Sequence, residues 1–423
     1  MKLRNFLIGL FLAIALACQS AYAVDWTNNG SGNWHDDSYW SGTHPNSVGA
    51  IADFSTIDIT NNRTVTLDTN IITGNMIVGD TSGTSQYTFS MGAGSLTFDG
   101  GGNSYLSRVS GGKASFQAVV LGDNLIVNNS SSSTTVEMNS GISGPGGLIV
   151  NTGFFDMRDG GGTYTGETIV NNDSILRIRS NVPNGAFTVN DNGRISGYYT
   201  FTLNKNLGTG TGSIRFTGGL GTTSGFEWNN SMNVVFYGNS SNVVQWDGGH
   251  FDMETMIFKN TGGTLKVIDF QNILDLNGGT RTVEVVTSGT DDSQQYAKFS
   301  GEIQDTVGNA TFIKTGAGRL MFDAVHTYSG STRIVEGTLY ANQVCFDDDS
   351  DIYVSSGAEL ALGHGGTDIV DRLYYEGDLR GTIANETWGG YGSGADQEVS
   401  WITGTGKIQI TTPNVGNPLI RLD

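Results

Sequence analysis

Cysteine, proline and charge are all scarce in this sequence. Its 423 residues include 2 cysteines and 5 prolines, and only 15% of them are charged. Cys345 is the one cysteine outside the N-terminal segment, so neither an intramolecular disulfide nor a cysteine-based zinc site is expected. No proline-rich or charge-rich linker divides the chain. Packing and hydrogen bonding must therefore stabilise the fold.

Long apolar runs are also absent after the N-terminus. The first run covers residues 6–17, follows two basic residues, and precedes Ala21 and Ala23 at the positions that a signal peptidase reads. This pattern predicts a secretory signal peptide over residues 1–23. No later run approaches the roughly 20 apolar residues of a transmembrane helix, so an integral membrane protein is not expected.

Cleavage of this signal is expected to give a mature chain that begins at Val24, which N-terminal sequencing would check. The alternative is a lipoprotein signal, with the mature chain beginning at an acylated Cys18. Leu16 lies one position too close to the cysteine for that motif. We expect export through the inner membrane to the cell surface or medium, with the periplasm as the alternative.

The charge balance restricts the partners. Acidic residues outnumber basic ones by 41 to 22, for a formal net charge of −19. A surface of this sign repels phosphate, so nucleic acid and anionic lipid are not expected partners. Glycine is abundant at 62 residues, yet 37% hydrophobic and 10% aromatic content is ample for a core.

An internal repeat is the most informative feature that is present. Residues 148–178 and 312–342 align without a gap at an offset of 164 residues. The aligned pairs that keep identity or type include Met157 with Met321, Tyr164 with Tyr328, Gly166 with Gly330, Thr168 with Thr332, Val170 with Ile334, and Ile175 with Leu339. Each copy consists of short alternating runs broken at glycine. Such a unit cannot bury its apolar face alone, so it must stack on neighbours.

Strand patterns of period two recur along the rest of the chain, and no convincing helix is present. Turns of the form Gly-x-Gly precede several of them, at Gly92, Gly210, Gly316 and Gly404. These glycines are expected to supply positive φ or close backbone approach at corners, not a phosphate cradle, because strands follow them instead of helices.

The second copy resembles the autotransporter-associated β-strand repeat, also called the passenger-associated transport repeat. The matching elements are Lys-Thr-Gly-x-Gly-x-Leu at 314–320, Tyr-x-Gly-x-Thr at 328–332 and Gly-Thr-Leu at 337–339. The first copy departs from this pattern at residues 151–154 and 172–173. The resemblance implies a structural, surface-associated role and supplies no catalytic residues.

Both ends of the chain resemble the same family. A segment at about 370–410 is similar to the part that often closes β-solenoid modules, and Trp26, Trp34 and Trp40 with Pro45 are similar to its usual opening. We therefore expect an all-β, right-handed parallel β-solenoid (β-helix) as a single elongated domain over residues 24–423. The alternative is an array of antiparallel β-sandwiches, which the few Asn-Gly and Asp-Gly turns would favour.

The solenoid hypothesis predicts where the repeat copies lie. With roughly 20 to 25 residues per coil, the copies should occupy equivalent positions about seven or eight coils apart. Val170, Ile334, Ile175 and Leu339 should then point into the core. Gly166 and Gly330 should mark matching corners.

No catalytic residue, cofactor-binding residue, cofactor or metal ligand is predicted. Gly-x-Ser-x-Gly and His-Glu-x-x-His motifs are absent. The five histidines are dispersed and are expected in exposed loops, with His326 as surface variation. The acid cluster Asp347–Asp351 offers oxygen ligands for calcium, but a solvated corner is favoured because the EF-hand glycine and glutamate are missing.

The sequence therefore predicts a secreted or surface-exposed, non-catalytic solenoid with a structural or adhesive role, whose partner is an extracellular glycan or a cell-surface molecule. One alternative is a glycan-binding module that uses Tyr374, Tyr375, Trp388 or Tyr391 as stacking platforms, although capping the open core is favoured for them. The other is a polysaccharide-degrading parallel β-helix enzyme. A hydrolase needs two carboxylates roughly 5 to 10 Å apart, and a lyase on acidic sugars is disfavoured by the negative charge.

Overall fold

The chain is nearly all β and divides into two compact units, residues 1–148 and 149–423. The computed structural model describes residues 22–158, 162–171, 173–179, 182–190, 192–198, 201–218, 221–228, 231–260, 266–287 and 295–414. Residues 1–21 of the predicted signal peptide, with Cys18, lie outside the described residues. So do residues 159–161 and 172 of the first repeat copy. A 3-10 turn, Asp37–Tyr39, is the helical element of the described residues.

The first unit contains three ladders of parallel strands. The first ladder comprises Ala23–Asp25, Ile51–Phe54, Asn75–Val78, Asn103–Arg108 and Asn124–Asn129. The second comprises Gly32–Asn33, Arg63–Leu67, Tyr87–Met91, Ala114–Phe116 and Val136–Met138. The third comprises Ile71–Thr73, Leu96–Phe98, Val119–Leu121 and Ile142–Ser143. Each ladder takes its next strand from the next coil, which is the arrangement of a parallel β-solenoid.

Alternation along each strand builds the core of this unit. Ala52 and Phe54 are fully buried, while Ile51 and Asp53, which alternate with them, are partly exposed. Met76 and Val78 take the same inward positions one coil later. Period-two alternation therefore places one apolar side of every strand inside, as the sequence predicts.

A tryptophan cluster lies beside the first coil. Trp26 and Trp34 are fully buried and Trp40 is 5% exposed, and all three pack on Phe54 with ring centroids 5.1 to 5.4 Å apart. The Trp34 indole donates to the Pro45 carbonyl at 2.9 Å. These are the residues of the predicted opening segment, and they cover apolar core that a first coil would otherwise expose.

The second unit is built mainly from two ladders. The long ladder comprises Phe154–Met157, Ile175–Ile178, Arg194–Gly197, Thr223–Trp228, Thr255–Asn260, Thr280–Val286, Thr311–Thr315, Ser331–Ile334, Asp351–Val354 and Arg372–Tyr375. The companion ladder comprises Phe201–Leu207, Met232–Phe236, Lys266–Phe270, Gln295–Phe299, Arg319–Phe322, Thr338–Ala341, Glu359–Leu362 and Ile402–Gly404.

Three smaller sets complete the second unit. The early ladder comprises Leu148–Thr152, which begins at the unit boundary, with Thr168–Val170, Phe187–Val189 and Ser213–Phe216. The corner ladder comprises Val243–Gln245, Ile273–Asp275 and Ile303–Gln304. The closing sheet comprises Thr367–Val370, Lys407–Ile410, Thr387–Gly389 and Gln397–Glu398, and Asp378–Leu379 adds an edge strand to the long ladder.

Parallel pairing confirms the solenoid and shows that the sandwich alternative is wrong. Among the described residues, antiparallel pairs occur at Tyr374 with Leu379, at Trp388 with Ile408 and at the bridge between Trp26 and Trp40. None of these lies inside a stack of coils. The antiparallel strands near residues 374–410 cover the edge of the last coils, where open parallel strands would invite pairing with another chain.

The two repeat copies have the same local structure. The hydroxyls of Tyr164 and Thr168 form a hydrogen bond of 2.6 Å, and those of Tyr328 and Thr332 form the same bond at 2.6 Å. Both tyrosines are buried. Each copy forms four strands at matching places, so the repeat encodes a strand-and-corner unit.

The predicted equivalence of the copies on the solenoid is nevertheless wrong. Thr168–Val170 belongs to the early ladder, whereas its counterpart Ser331–Ile334 belongs to the long ladder. The second copy is therefore shifted by one strand around the coil. Counterpart strands therefore lie on different ladders; on the long ladder itself, six register steps join Phe154–Met157 of the first copy to Thr311–Thr315 of the second.

Coil length explains the shift. Phe154 pairs with Ile175, 21 residues on, but Thr280 pairs with Thr311, 31 residues on. The corner ladder supplies an extra strand in the longer coils. An added strand changes which side of the coil the next repeat starts on.

The burial predictions for the repeat are confirmed in three cases of four. Val170, Ile334 and Leu339 are fully buried at inward positions. Ile175 is also buried, at 4% exposure, but it shares a register line with Arg194. It therefore faces away from the inward Leu176.

Lys314 gives the Lys-Thr-Gly motif a structural meaning. The side chain is fully buried, and its ammonium donates to the carbonyls of Thr315, Gly316 and Glu336 at 2.8, 2.6 and 2.9 Å. Gly316 has φ of 73°, which glycine adopts readily. The lysine therefore satisfies carbonyls that the corner turns away from the ladders.

Gly330 is a corner for a steric reason and not because of positive φ. A Cβ at this position would lie 1.7 Å from the Ala310 carbonyl oxygen of the neighbouring coil. Replacing Gly330 with Ala is therefore expected to lower the free energy of unfolding by about 1 to 3 kcal/mol. Urea denaturation would measure it, with Gly365→Ala as the control because a Cβ there meets nothing within 4 Å. Equal effects of the two changes would contradict the prediction.

Candidate functional sites

Carboxylates at the coil corners bind backbone amides. Asp123 accepts from the Gly100 and Gly102 amides at 2.7 and 3.0 Å. Asp275 accepts from the Thr306 hydroxyl at 2.6 Å and from the Asn277 amide at 2.9 Å. Burial raises the pKa of Asp275, but these hydrogen bonds outweigh it and leave the pKa below its usual value. Such acids hold turns in place.

The acid cluster Asp347–Asp351 forms a turn of the same kind. Asp347 accepts from the Asp349 amide at 3.0 Å through its side chain and from the Ser350 amide at 3.0 Å through its carbonyl. Among the described residues, no three or more His, Cys, Asp or Glu side chains are grouped so that they could hold a metal ion. The geometry thus favours a hydrogen-bonded corner over the calcium hypothesis.

The aromatic residues of the closing segment pack on one another. Trp401 stacks on Tyr375 with centroids 4.6 Å apart, and Trp388 stacks on Trp401 at 6.2 Å. Each of these rings is half-buried. Trp388 and Tyr375 therefore sit in a capping cluster, whereas Tyr391 is 74% exposed.

Tyr374, the remaining predicted platform, belongs to a separate stack on the long ladder. The ring centroids of Tyr374 and Tyr353 lie 4.2 Å apart. The Arg333 guanidinium carbon lies 4.4 Å from the Tyr353 ring centroid. The three residues share one register line on successive coils. Cross-coil stacking of this kind stabilises the ladder.

The expectation for His326 is wrong, because its side chain is buried at 2% exposure. Its Nδ1 accepts from the Ile303 amide at 2.9 Å, and burial lowers the pKa of the imidazole to about 3. Of the others, His35 is exposed, and His44, His250 and His364 are half-buried. The local sequence around His326 does not predict its burial, because the neighbouring coil that covers it is distant in the chain.

Cys345 and Asp368 lie in the same interior region. The thiol is buried, and burial raises its pKa. Asp368 is fully buried and accepts from the Cys345 and Phe346 amides at 2.8 and 3.2 Å. Burial raises the pKa of this carboxyl to about 6. A thiol kept in its protonated form here is a poor nucleophile.

The long ladder contains a buried charge cluster that the sequence did not predict. Asp156 is fully buried and lies within 4 Å of the guanidinium groups of Arg158, Arg177 and Arg179. The Tyr198 ring lies 3.9 Å from the Arg179 guanidinium carbon. The alternating Arg-Ile-Arg run was the available signal, but its partners come from neighbouring coils. Asp156 and Arg177 are register partners on successive strands, so the cluster joins neighbouring coils.

Comparison with known proteins adds no relative: no family model, no curated protein and no solved structure matches this chain. Within the part of the chain that the structure describes, no helix has the length and apolar character needed to cross a membrane.

Proposed function

We propose that the chain is a secreted or surface-exposed, non-catalytic β-solenoid with a structural or adhesive role. The observation that carries this proposal is the use of ionisable side chains to hold corners. Asp123 and Asp275 bind amides, and Lys314 binds three carbonyls. The resemblance to the autotransporter-associated repeat supports the same role.

Location and adhesion test the proposal together. Antibodies against the chain are expected to label intact cells, and deleting the gene is expected to reduce attachment to glycan-coated or cell-coated surfaces. Fractionation of membrane, periplasm and medium provides the independent measurement. A chain found only in the cytoplasm, or attachment that is unchanged by deletion, would contradict the proposal.

Polysaccharide hydrolysis is the enzymatic alternative, and Asp269 with Asp323 is the pair on which to test it. Both carboxylates bind the Lys298 ammonium, at 3.4 and 3.2 Å, so they lie no farther apart than the roughly 10 Å that a hydrolase allows. The shared Lys298 ammonium, however, holds both carboxylates in ion pairs.

We expect no release of reducing or unsaturated sugars from a panel of common polysaccharides. Activity that disappears in Asp269→Asn or Asp323→Asn, while circular dichroism stays unchanged, would establish an enzyme instead. Asp349→Asn, in the exposed acid turn, is the control.

Glycan binding is the second candidate, favoured by the exposure of Tyr391. The residue lies on a glycine-rich loop beside Asp396 and Glu398, which are both exposed. Hydrogen bonds from Thr387 lower the pKa of Asp396, and amides of Gly392 and Gly394 lower that of Glu398. An exposed aromatic ring can stack on a neutral sugar, and ionised carboxylates beside it can accept hydrogen bonds from the sugar hydroxyls.

A glycan array comparing the unmodified chain with Tyr391→Ala tests this candidate. Loss of a neutral-glycan signal only in Tyr391→Ala is expected, with Tyr105→Ala, another exposed tyrosine, as the control. A signal that survives in Tyr391→Ala would exclude this platform.

A further inference from the structure

Two of the dispersed histidines come together near the tryptophan cluster. The imidazole rings of His35 and His44 have centroids 4.8 Å apart and planes inclined by 70°. Their positions in the chain differ by nine, a spacing that matches no metal-binding motif. We propose that His35 and His44 bind one divalent transition-metal ion, Zn²⁺ or Cu²⁺, whose remaining positions are filled by water.

The tautomer of His44 suits a metal ligand. Its Nδ1 lies 2.7 Å from Asp37 Oδ1, which also accepts from the His44 amide at 2.8 Å. A carboxylate oxygen only accepts, so Nδ1 carries the hydrogen and the lone pair of neutral His44 is on Nε2. A carboxylate that orients the imidazole through its other nitrogen is the usual arrangement around metal-binding histidines.

The ring separation also fits a shared ion. With metal–nitrogen bonds of about 2.0 to 2.1 Å and a near-tetrahedral angle, two imidazoles on one ion place their centroids about 5 Å apart. The observed 4.8 Å agrees with that value. Imidazole ligands favour Zn²⁺ and Cu²⁺ over Mg²⁺ and Ca²⁺.

The surrounding loop holds the pair in place. Trp34 precedes His35 and is buried, with its indole bound to the Pro45 carbonyl next to His44. The His35 amide donates to Asp68 Oδ1 at 3.2 Å. Two anchored loop positions carry the two rings, so little ordering is needed when the metal binds. His35 is exposed, and the ion can reach it from solvent.

Two protein ligands make a weaker site than the three or four of a structural zinc centre. This agrees with the finding that no larger group of His, Cys, Asp and Glu occurs among the described residues.

Calorimetric titration of the full chain, without a polyhistidine tag, with ZnCl₂ at pH 7.5 tests the proposal. One equivalent is expected to bind, and His35→Ala or His44→Ala should each weaken binding by at least about tenfold. Asp37→Asn should weaken it by about tenfold while leaving both rings present. His364→Ala is the control and should bind like the unmodified chain.

Electron paramagnetic resonance of the Cu²⁺ form gives a readout independent of affinity. Two equatorial nitrogens are expected, and one should remain in His44→Ala. Thermal unfolding without metal checks that each variant is folded. The absence of Zn²⁺ binding at 1:1 stoichiometry, or binding that survives unchanged in folded His44→Ala, would overturn the proposal.

Discussion

Replacing Lys314 with Met is expected to lower the free energy of unfolding by about 4 kcal/mol. The fully buried ammonium donates to three backbone carbonyls. Methionine keeps most of the side-chain volume but donates nothing, so these carbonyls lose a charged partner inside the protein. Hydrogen bonds to charged groups contribute about 1.5 to 3 kcal/mol each, and three on one group are not additive.

Urea denaturation followed by circular dichroism measures this loss. Lys407→Met is the matched control, because Lys407 donates a single exposed bond to the Gly394 carbonyl at 2.8 Å. Its removal should cost less than about 1 kcal/mol. Equal losses of unfolding free energy in the two variants would contradict the prediction, because the three buried hydrogen bonds of Lys314 would then contribute no more than one exposed bond.

Lys314 also shows what the sequence can predict about this fold. The motif, the alternating residues and the corner glycines all act within one or two strands, so they predicted the strands and the stacking of coils. The ladder to which a strand belongs depends on the strands inserted between the repeats. Short local patterns in residues 201–304 do not predict the corner ladder. The shift of the second repeat copy by one strand around the coil was therefore not predicted.

The candidate sites depend even more on neighbouring coils. Asp156 and Arg179 are 23 residues apart in the chain, yet their side chains pair inside the protein. His326 is buried by residues from adjacent coils, although its own sequence context suggests a loop. Contacts across coils join residues whose spacing varies with coil length, and a single sequence carries no direct record of that length.

Asp368 and His326 are expected to give opposite pH dependences of stability. The pKa of the buried Asp368 is about 6, above its usual value of 3.8, and that of His326 is about 3, below 6.5. The carboxyl contributes stability that is complete below about pH 4 and is lost as the pH rises through about 6. The imidazole contributes stability that is complete above about pH 6.5 and is lost as the pH falls towards 3. Between pH 4 and 6 the two contributions change in opposite directions, each by up to about 1.4 kcal/mol per pH unit, and largely cancel.

Single substitutions should therefore reveal each slope. Relative to the unmodified chain, Asp368→Asn should gain about 2 kcal/mol of unfolding free energy between pH 4 and pH 6, because the substitution removes the contribution of the carboxyl alone. His326→Asn, which keeps an acceptor for the Ile303 amide, should lose about 2.5 kcal/mol over the same window. Urea denaturation at pH 4, 5 and 6 measures both, with Asp349→Asn as an exposed control whose difference should stay flat. Curves for Asp368→Asn that run parallel to those of the unmodified chain would contradict the prediction, because they would show that the pKa of the Asp368 carboxyl is the same in the folded and unfolded states.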